Sequence, residues 1–212
     1  LADEINRTSS KTQSALLEAM EERQITVDGR TYPLEKPFVV IATQNNVGTA
    51  GTQLLPYAQV DRFMVRLSVG YPDHDAQMAL LRDRLSENPL DAVEQVLTRE
   101  ELLAMQADVR AVQTGDALLD YITRLTMASR EHPNVEVGVS PRGALLLCRM
   151  AKARAYLLGR AFAVSEDVQA VFEPVCAHRL IVSAKARLAG VSAADVVREL
   201  LADVPNPDRA AL

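Results

Sequence analysis

Residues 38–43 form an uninterrupted apolar run, Phe38-Val39-Val40-Ile41-Ala42-Thr43, which ends at the polar triplet Gln44-Asn45-Asn46. Four of the six side chains are β-branched. A short, continuous apolar run of this kind is typical of a strand that is buried on both faces, as in a parallel sheet. Such a strand needs neighbours on either side, so the run predicts an α/β core.

Upstream of this run, the sequence predicts a helix and a hairpin. The helix is expected from Ser10 to Arg23, with Ser9 or Ser10 as its cap. The hairpin is expected over residues 24–32, where two β-prone segments flank Asp28-Gly29.

Downstream, a loop that contains glycine leads to a short segment, Tyr57–Phe63, and then to an alternating strand-like segment, Met64–Val69. One buried strand, one further strand and a hairpin cannot complete a sheet. We therefore expect the missing strands to come from elsewhere.

After Pro72 the apolar period becomes helical and stays so. Six helices are predicted, marked in chain order by Asp75–Leu85, the capping box at Thr98-Arg99-Glu100-Glu101, the stripe Leu118/Ile122/Leu125, the stripe Ala144/Leu147/Cys148/Ala151, the cap Ser165-Glu166-Asp167 and the stripe Val196/Val197/Leu200/Leu201. The predicted division is a β-containing part over residues 1–72 and a helical part over residues 73–212.

Composition excludes several classes of function. The 212 residues are 48% hydrophobic and carry a formal net charge of −5, so no global basic surface for nucleic acid is expected. The apolar runs are far too short to span a bilayer. Cys148 and Cys176 lie in apolar helical segments and are typical of buried thiols in a reducing cytosol, which favours a cytoplasmic protein.

Polar residues follow two predicted strand ends. Asp3 and Glu4 come after Leu1-Ala2, and Asn45 follows the run at 38–43. The carboxyl ends of parallel strands are where α/β sheets bind ligands. There, one carboxylate can hold Mg²⁺, another can activate a water, and an amide can contact a phosphate. The alternatives are a solvated acidic pair and an ordinary turn-forming asparagine.

Two arginines complete the set of candidates. Arg62 lies just before the last predicted strand, where a guanidinium could stabilise charge on a neighbouring subunit's phosphate. Ser140-Pro141-Arg142 has the pattern of N-cap, N1 and N2 of a helix. A cation there opposes the helix dipole, a conflict that a bound anion would relieve. The alternatives are ordinary surface arginines, with Arg62 paired to an acidic neighbour.

Other chemistries find little support in the sequence. His74, His132 and His178 are widely spaced, and no G-x-S-x-G motif is present. The phosphate-binding motif G-x-x-x-x-G-K-[ST] is also missing, because no glycine in the chain is directly followed by a lysine.

Taken together and in order, six segments closely resemble the MoxR family of AAA+ ATPases. They are Leu1-Ala2-Asp3-Glu4-Ile5-Asn6-Arg7-Thr8, Thr12-Gln13-Ser14-Ala15-Leu16-Leu17-Glu18-Ala19-Met20, Ala42-Thr43-Gln44-Asn45, Gln59-Val60-Asp61-Arg62-Phe63, Tyr71-Pro72-Asp73 and Ser140-Pro141-Arg142. The resemblance implies a P-loop NTPase core of the AAA+ type followed by an all-α lid, into which His178-Arg179-Leu180 also fits.

By this resemblance, Asp3 would position Mg²⁺ at the end of the Walker B strand, and Glu4 would activate the attacking water. Asn45 would be sensor 1, close to the γ-phosphate. Arg62 would be the arginine finger that acts on the adjacent subunit's ATP. Arg142 would be sensor 2, which reports the nucleotide state to the lid. The hairpin over residues 25–32 would be the pre-sensor-1 hairpin.

The resemblance also implies partners and limits. We expect a ring, of six subunits, that assists the maturation of protein complexes, alongside von Willebrand factor A domain proteins or another protein client. Walker A would lie before Leu1, so the parent protein would be the ATPase and residues 1–212 alone are not expected to hydrolyse ATP.

Rival interpretations are a motor subunit of the magnesium-chelatase type and a non-catalytic interaction module with a degenerate ATPase remnant. A DNA-translocating motor is disfavoured, because the hairpin carries one basic residue, Arg30.

Overall fold

The computed structural model describes residues 1–44, 55–84 and 89–209. Its α-helices are α1 (Ser10–Glu22), α2 (Tyr57–Val60), α3 (His74–Arg84), α4 (Arg99–Ala111), α5 (Asp116–Glu131), α6 (Pro141–Leu157), α7 (Ser165–Cys176), α8 (Ala184–Leu188) and α9 (Ala193–Asp203). Its strands are β1 (Gln24–Val27), β2 (Arg30–Pro33), β3 (Val135–Val137) and β4 (Ile181–Val182). Short 3₁₀ turns cover Ile5–Arg7, Pro89–Ala92, Ala177–Arg179 and Pro207–Arg209.

The predicted helix and hairpin upstream of residue 38 are confirmed. Ser9 caps α1, with its hydroxyl accepting a hydrogen bond from the Thr12 amide, and the C-cap residue Arg23, directly after the helix, is in the left-handed region. Strands β1 and β2 pair in antiparallel register from Val27 opposite Arg30. Asp28 and Gly29 both have positive φ, as a two-residue hairpin turn of the favoured hand requires.

The predicted strand over residues 38–43 is wrong as a complete strand. Its pairing in the described chain is a single parallel bridge between Ala2 and Ala42, and Val39 and Ile41 are 66% and 63% exposed. The reason is physical: a parallel strand becomes regular and buried only when both neighbours are present. The described residues supply one short neighbour.

The strand predicted over Met64–Val69 is likewise absent from the described structure. The segment carries no strand assignment, and its contact with the helices includes an N–H of Arg66 that donates to the Pro174 carbonyl at 2.9 Å. Leu67 is 75% exposed and Val69 fully exposed. The alternating pattern therefore did not predict this segment correctly, because alternation marks a strand only where a partner strand is present.

The predicted helices beyond Pro72 are confirmed, with α3 described as far as Arg84 and Leu85 outside the described residues. The helices α4 to α9 enclose one apolar core, whose fully buried side chains include Tyr121, Leu125, Leu147, Phe172 and Val175. Cys176 is buried and Cys148 half-buried, and both are free thiols. Burial raises the pKa of Cys176 to about 12, so it is an inert thiol.

Two details differ from the sequence-based expectation. The N-cap of α7 is Val164, one residue before the predicted cap Ser165-Glu166-Asp167, and Asp167 accepts a hydrogen bond from the Val164 amide at 3.0 Å. The small antiparallel pair β3–β4 was not predicted, because two or three residues are too few to show alternation.

Among the described residues, no helix combines the length and apolar character needed to cross a membrane.

Candidate functional site

The acidic pair lies at the carboxyl edge of two paired segments. The Ala2 amide donates to the Ile41 carbonyl at 2.8 Å, and the Thr43 amide donates to the Ala2 carbonyl at 3.0 Å. This pairing places Asp3 and Glu4 directly beside Thr43, as the strand-end argument predicts.

Thr43 forms hydrogen bonds with both residues of the acidic pair, Asp3 and Glu4. Its hydroxyl donates to Oδ1 of Asp3 and accepts from the Glu4 amide at 2.8 Å. Glu4 adopts φ 47° and ψ 49°, a left-handed conformation that costs a non-glycine residue on the order of 1 kcal/mol. Its carboxylate pairs with Arg7 at 3.0 Å. A strained glutamate beside a threonine and an aspartate is typical of a functional position rather than a frayed terminus.

Thr43 is a site residue that sequence reasoning did not single out. Its position at the end of the apolar run was the available signal. Asn45, the predicted sensor 1, lies outside the described residues, which reach Gln44 along the same edge.

The residues present fit a magnesium ion. Mg²⁺ prefers hard oxygen ligands and is usually held by one or two carboxylates together with substrate phosphates. Asp3 and the Thr43 hydroxyl offer such oxygens. In the described ranges no group of three or more His, Cys, Asp or Glu residues gathers as a metal site, and the acidic pair is no exception, so it would hold the ion together with the nucleotide's phosphates.

The two candidate arginines meet on one carboxylate. Nη1 of Arg62 lies 2.9 Å from Oε2 of Glu21, and Nη2 of Arg142 contacts Oε1 of the same side chain. Arg142 is the second residue of α6, whose N-cap Ser140 accepts from the Gly143 amide, so the predicted cap is confirmed. Residues 80 positions apart in the sequence thus form one cationic pair.

The acidic pair and the arginine pair lie toward opposite ends of α1. Near the start of the helix, the Gln13 amide donates to the Ile5 carbonyl at 3.2 Å, which holds the turn that follows Glu4. Glu21 lies in the last turn, eight residues later, a rise of about 12 Å. The structure therefore does not bring Arg62 and Arg142 onto the acidic pair of the same chain.

A buried network positions the arginine pair. Asp61 accepts from the Ser140 hydroxyl at 3.0 and 3.1 Å and from Nε of Arg179 at 2.9 Å. Arg179 is fully buried and also donates to the carbonyls of Asp61 and Phe63. The network joins the residue before Arg62 to the cap of the helix that carries Arg142.

Electrostatics in this network follow from burial. Desolvation lowers the pKa of Arg179, and the Asp61 carboxylate opposes that change. Desolvation, aided by the Arg179 charge, lowers the pKa of His178 to about 4. His178 is therefore neutral at pH 7, with Nε2 placed 3.2 Å from the Phe63 carbonyl. The sequence did not reveal that Asp61 bonds to both Ser140 and Arg179, because no sequence pattern here distinguishes a buried arginine from a surface one.

Two family models match the chain. Residues 1–65 match the ATPase family associated with various cellular activities (AAA), and residues 127–200 match the AAA lid domain. Both matches fall on the parts that carry the candidate site: the acidic pair and Arg62 in the first, and Arg142 in the second.

Several proteins are similar over nearly the whole chain. YeaC of Bacillus subtilis is 42% identical over 207 residues, which are 98% of this chain and 65% of YeaC. Chaperone MoxR1 of Mycobacterium tuberculosis is 36% identical over 216 residues, 98% of this chain and 57% of MoxR1. Protein MoxR of Methylorubrum extorquens is 30% identical, covering 97% and 65%. The chain thus spans less than two thirds of the length of these relatives.

Solved structures agree. A crystal structure of a candidate ATPase from Cytophaga hutchinsonii superposes with a TM-score of 0.90 at 35% identity, over 97% of this chain and 65% of that one. An MCM homologue from Methanopyrus kandleri shares the fold at a TM-score of 0.54 and 20% identity, over 82% and 35%. The expected AAA+ fold, a P-loop core region followed by a helical lid, is confirmed. The chain belongs to the MoxR family of AAA+ ATPases.

Proposed function

We propose that the chain is the Walker B, sensor and lid portion of a MoxR-type ATPase that hydrolyses ATP and remodels protein clients as a ring, hexameric in our prediction. The observation that carries the proposal is the joining of Asp3, Glu4 and Thr43 at one edge of the paired segments. Identity of 36% with a protein named Chaperone MoxR1 supports the same class of function.

In this proposal Asp3 and the Thr43 hydroxyl would hold Mg²⁺. A bound ion would supply positive charge that neutralises the phosphates of the nucleotide. Glu4 orients a water for attack on the γ-phosphate and accepts its proton. The left-handed backbone at Glu4 and the hydrogen bond from its amide to Thr43 fix the direction in which its side chain leaves the sheet edge. Asn45, the next residue in the sequence after Gln44, is proposed by resemblance as the amide that contacts the γ-phosphate.

Arg62 and Arg142 serve a different nucleotide in the assembled ring. The rise of about 12 Å along α1 between Gln13 and Glu21 keeps the arginine pair away from the acidic pair of its own chain. Arg62 therefore acts as an arginine finger toward the adjacent subunit. Arg142 reports nucleotide state to the lid, because it leads α6, a helix of the lid core.

The phosphate-binding loop is proposed to lie in a segment ahead of Leu1, and the client and a von Willebrand factor A domain partner are proposed by resemblance. A cytoplasmic location is proposed from the two free thiols.

The decisive experiment replaces Glu4 in a protein that combines this chain with its phosphate-binding loop. We expect Glu4→Gln to reduce ATP turnover at least about 100-fold while ATP stays bound, because the side chain keeps its shape but cannot accept a proton. Steady-state turnover and equilibrium binding of a fluorescent ATP analogue measure the two effects.

Glu22→Gln is the matched control, since it removes the same charge from an exposed position at the end of α1. Turnover by Glu4→Gln at the level of Glu22→Gln would refute the assigned base.

A further inference from the structure

Glu21 and Arg142 each occupy a helix end that disfavours their charge. Glu21 lies in the last turn of α1, where the helix dipole repels an anion, and α1 has no basic residue in that turn. Arg142 lies in the first turn of α6, where the dipole repels a cation. Contact between the two side chains relieves both conflicts at once.

Arg62 shares the same carboxylate through its other oxygen, at 2.9 Å. Two arginines on neighbouring oxygens of one anion is also the arrangement by which guanidinium groups hold a phosphoryl group. The other nearby carboxylate, Asp61, is already engaged by Ser140 and Arg179. Glu21 is thus the side chain that fills the anion position between the two arginines.

We propose that Glu21 is a positioning residue that holds Arg62 and Arg142 on one anion position and gives way there to phosphate groups of the nucleotide. This inference rests on the proposed function, which assigns both arginines to ATP.

The contact of Glu21 with Arg62 and Arg142 can be replaced by a contact with another anion. The side chains of Arg62 and Glu21 are 29% and 28% exposed, and that of Arg142 is 44% exposed, so solvent and small anions reach it. Ion pairs in such surroundings are weak. A polyphosphate carries more negative charge than a single carboxylate, so it attracts the two guanidinium groups more strongly. Release of Glu21 therefore leaves two aligned guanidinium groups for the incoming anion.

The test uses residues 1–212 and inorganic tripolyphosphate, followed by the Nε–H resonances of the arginine side chains, which report millimolar binding. We expect Glu21→Gln to bind tripolyphosphate about threefold to tenfold more tightly than the unmodified chain, because the competing carboxylate is gone. Glu22→Gln is the matched control, since it removes an equal charge from the next residue. Its affinity should stay within about twofold of the unmodified chain, a general charge effect.

The gain in Glu21→Gln should disappear when Arg62→Ala or Arg142→Ala is added. The proposal is overturned if Glu21→Gln binds no more tightly than Glu22→Gln, if no variant binds, or if the gain survives loss of either arginine. The binding test and the turnover test can fail separately. Failure of the Glu4→Gln experiment would refute the catalytic assignment and leave the binding result standing. Failure of the tripolyphosphate experiment would refute the role of Glu21 and leave the catalytic assignment standing.

Discussion

Arg179 keeps its charge inside the protein because its guanidinium group is surrounded by oxygen acceptors and by the ring nitrogen of His178. Asp61 and the carbonyls of Asp61 and Phe63 accept from it, at 2.6 to 2.9 Å. A buried ion pair of this kind adds little net stability compared with apolar packing, but loss of one partner is costly. Its value lies in geometry, since it ties the residue before Arg62 to the lid.

His178, beside Arg179, makes this network sensitive to acid. Its pKa of about 4 in the folded chain is below its ordinary value of 6.5, so the unfolded chain takes up a proton that the folded chain does not. The contribution of His178 to the free energy of unfolding is therefore complete above pH 6.5. As the pH falls from 6.5 to 4, this contribution is lost, and the free energy of unfolding decreases by up to about 3 kcal/mol.

Urea denaturation at pH 7.5 and pH 5 measures this loss. We expect His178→Gln to flatten the pH dependence relative to the unmodified chain. His74→Gln should not, because that histidine is exposed. Equal pH dependence in both variants would contradict the assignment.

Among single residues, the sequence was most informative where a residue departs from a local preference of helices, such as a cation in the first turn. Arg142 at the second position of a helix was identified from Ser140-Pro141 alone, and the cap is present as expected. Thr43 and Glu21 were missed, because their importance comes from contacts with Asp3 and Arg142 that are distant in the sequence.

At the scale of elements, α6 is the helix that connects the helical lid to the segment carrying Arg62, through the hydrogen bond from Ser140 to Asp61. Its cap, Ser140, has two tasks: it accepts from the Gly143 amide and donates to Asp61. An ordinary cap such as Ser183, at the start of α8, accepts from the Ala186 amide.

Replacement of Ser140 should therefore cost more than replacement of an ordinary cap. We expect Ser140→Ala to lower the free energy of unfolding by about 2 kcal/mol, and Ser183→Ala by about 1 kcal/mol, because the first change also removes a hydrogen bond to a charged group. Chemical denaturation measures both.

Addition of Asp61→Asn should shrink the difference between the two cap variants, because the bond to the carboxylate is then weakened in advance. A difference that stays the same would show that Ser140 acts through its cap alone.

The helices and the β1–β2 hairpin were predictable, but the strands expected over residues 38–43 and 64–69 were not, because the first two depend on local sequence and the others on distant partners. The stripe Leu118/Ile122/Leu125 is local to α5, and it correctly identified a buried face. The run at 38–43 carries the composition of a buried strand, but its burial depends on partners outside the described residues. Composition thus predicted what the segment is suited for, and the structure shows what its available neighbours allow.

At the scale of the whole molecule, the separation of the acidic pair from the arginine pair is the reason we propose that a neighbouring subunit completes each site. If Arg62 serves the neighbouring subunit, a ring of Arg62→Ala and a ring of Glu4→Gln should each lack turnover. In a random equimolar mixture, about a quarter of the sites pair an intact Glu4 with an intact Arg62, so turnover should return to about that fraction. ATPase assays of co-assembled subunits measure it.

A mixture as inactive as its two components would contradict action in trans. Native mass spectrometry of the same sample, which confirms that mixed rings form, is the control.

The single bridge between Ala2 and Ala42 has a consequence for evolution. In the described chain the segment over residues 38–43 offers most of its backbone groups, with Val39 and Ile41 exposed, to whatever strand completes the sheet. A strand added at this edge is held by main-chain hydrogen bonds, which depend little on the identity of its side chains. The completing strand can therefore drift in sequence while its register is preserved, whereas Asp3 and Thr43, whose side chains bond to each other, cannot.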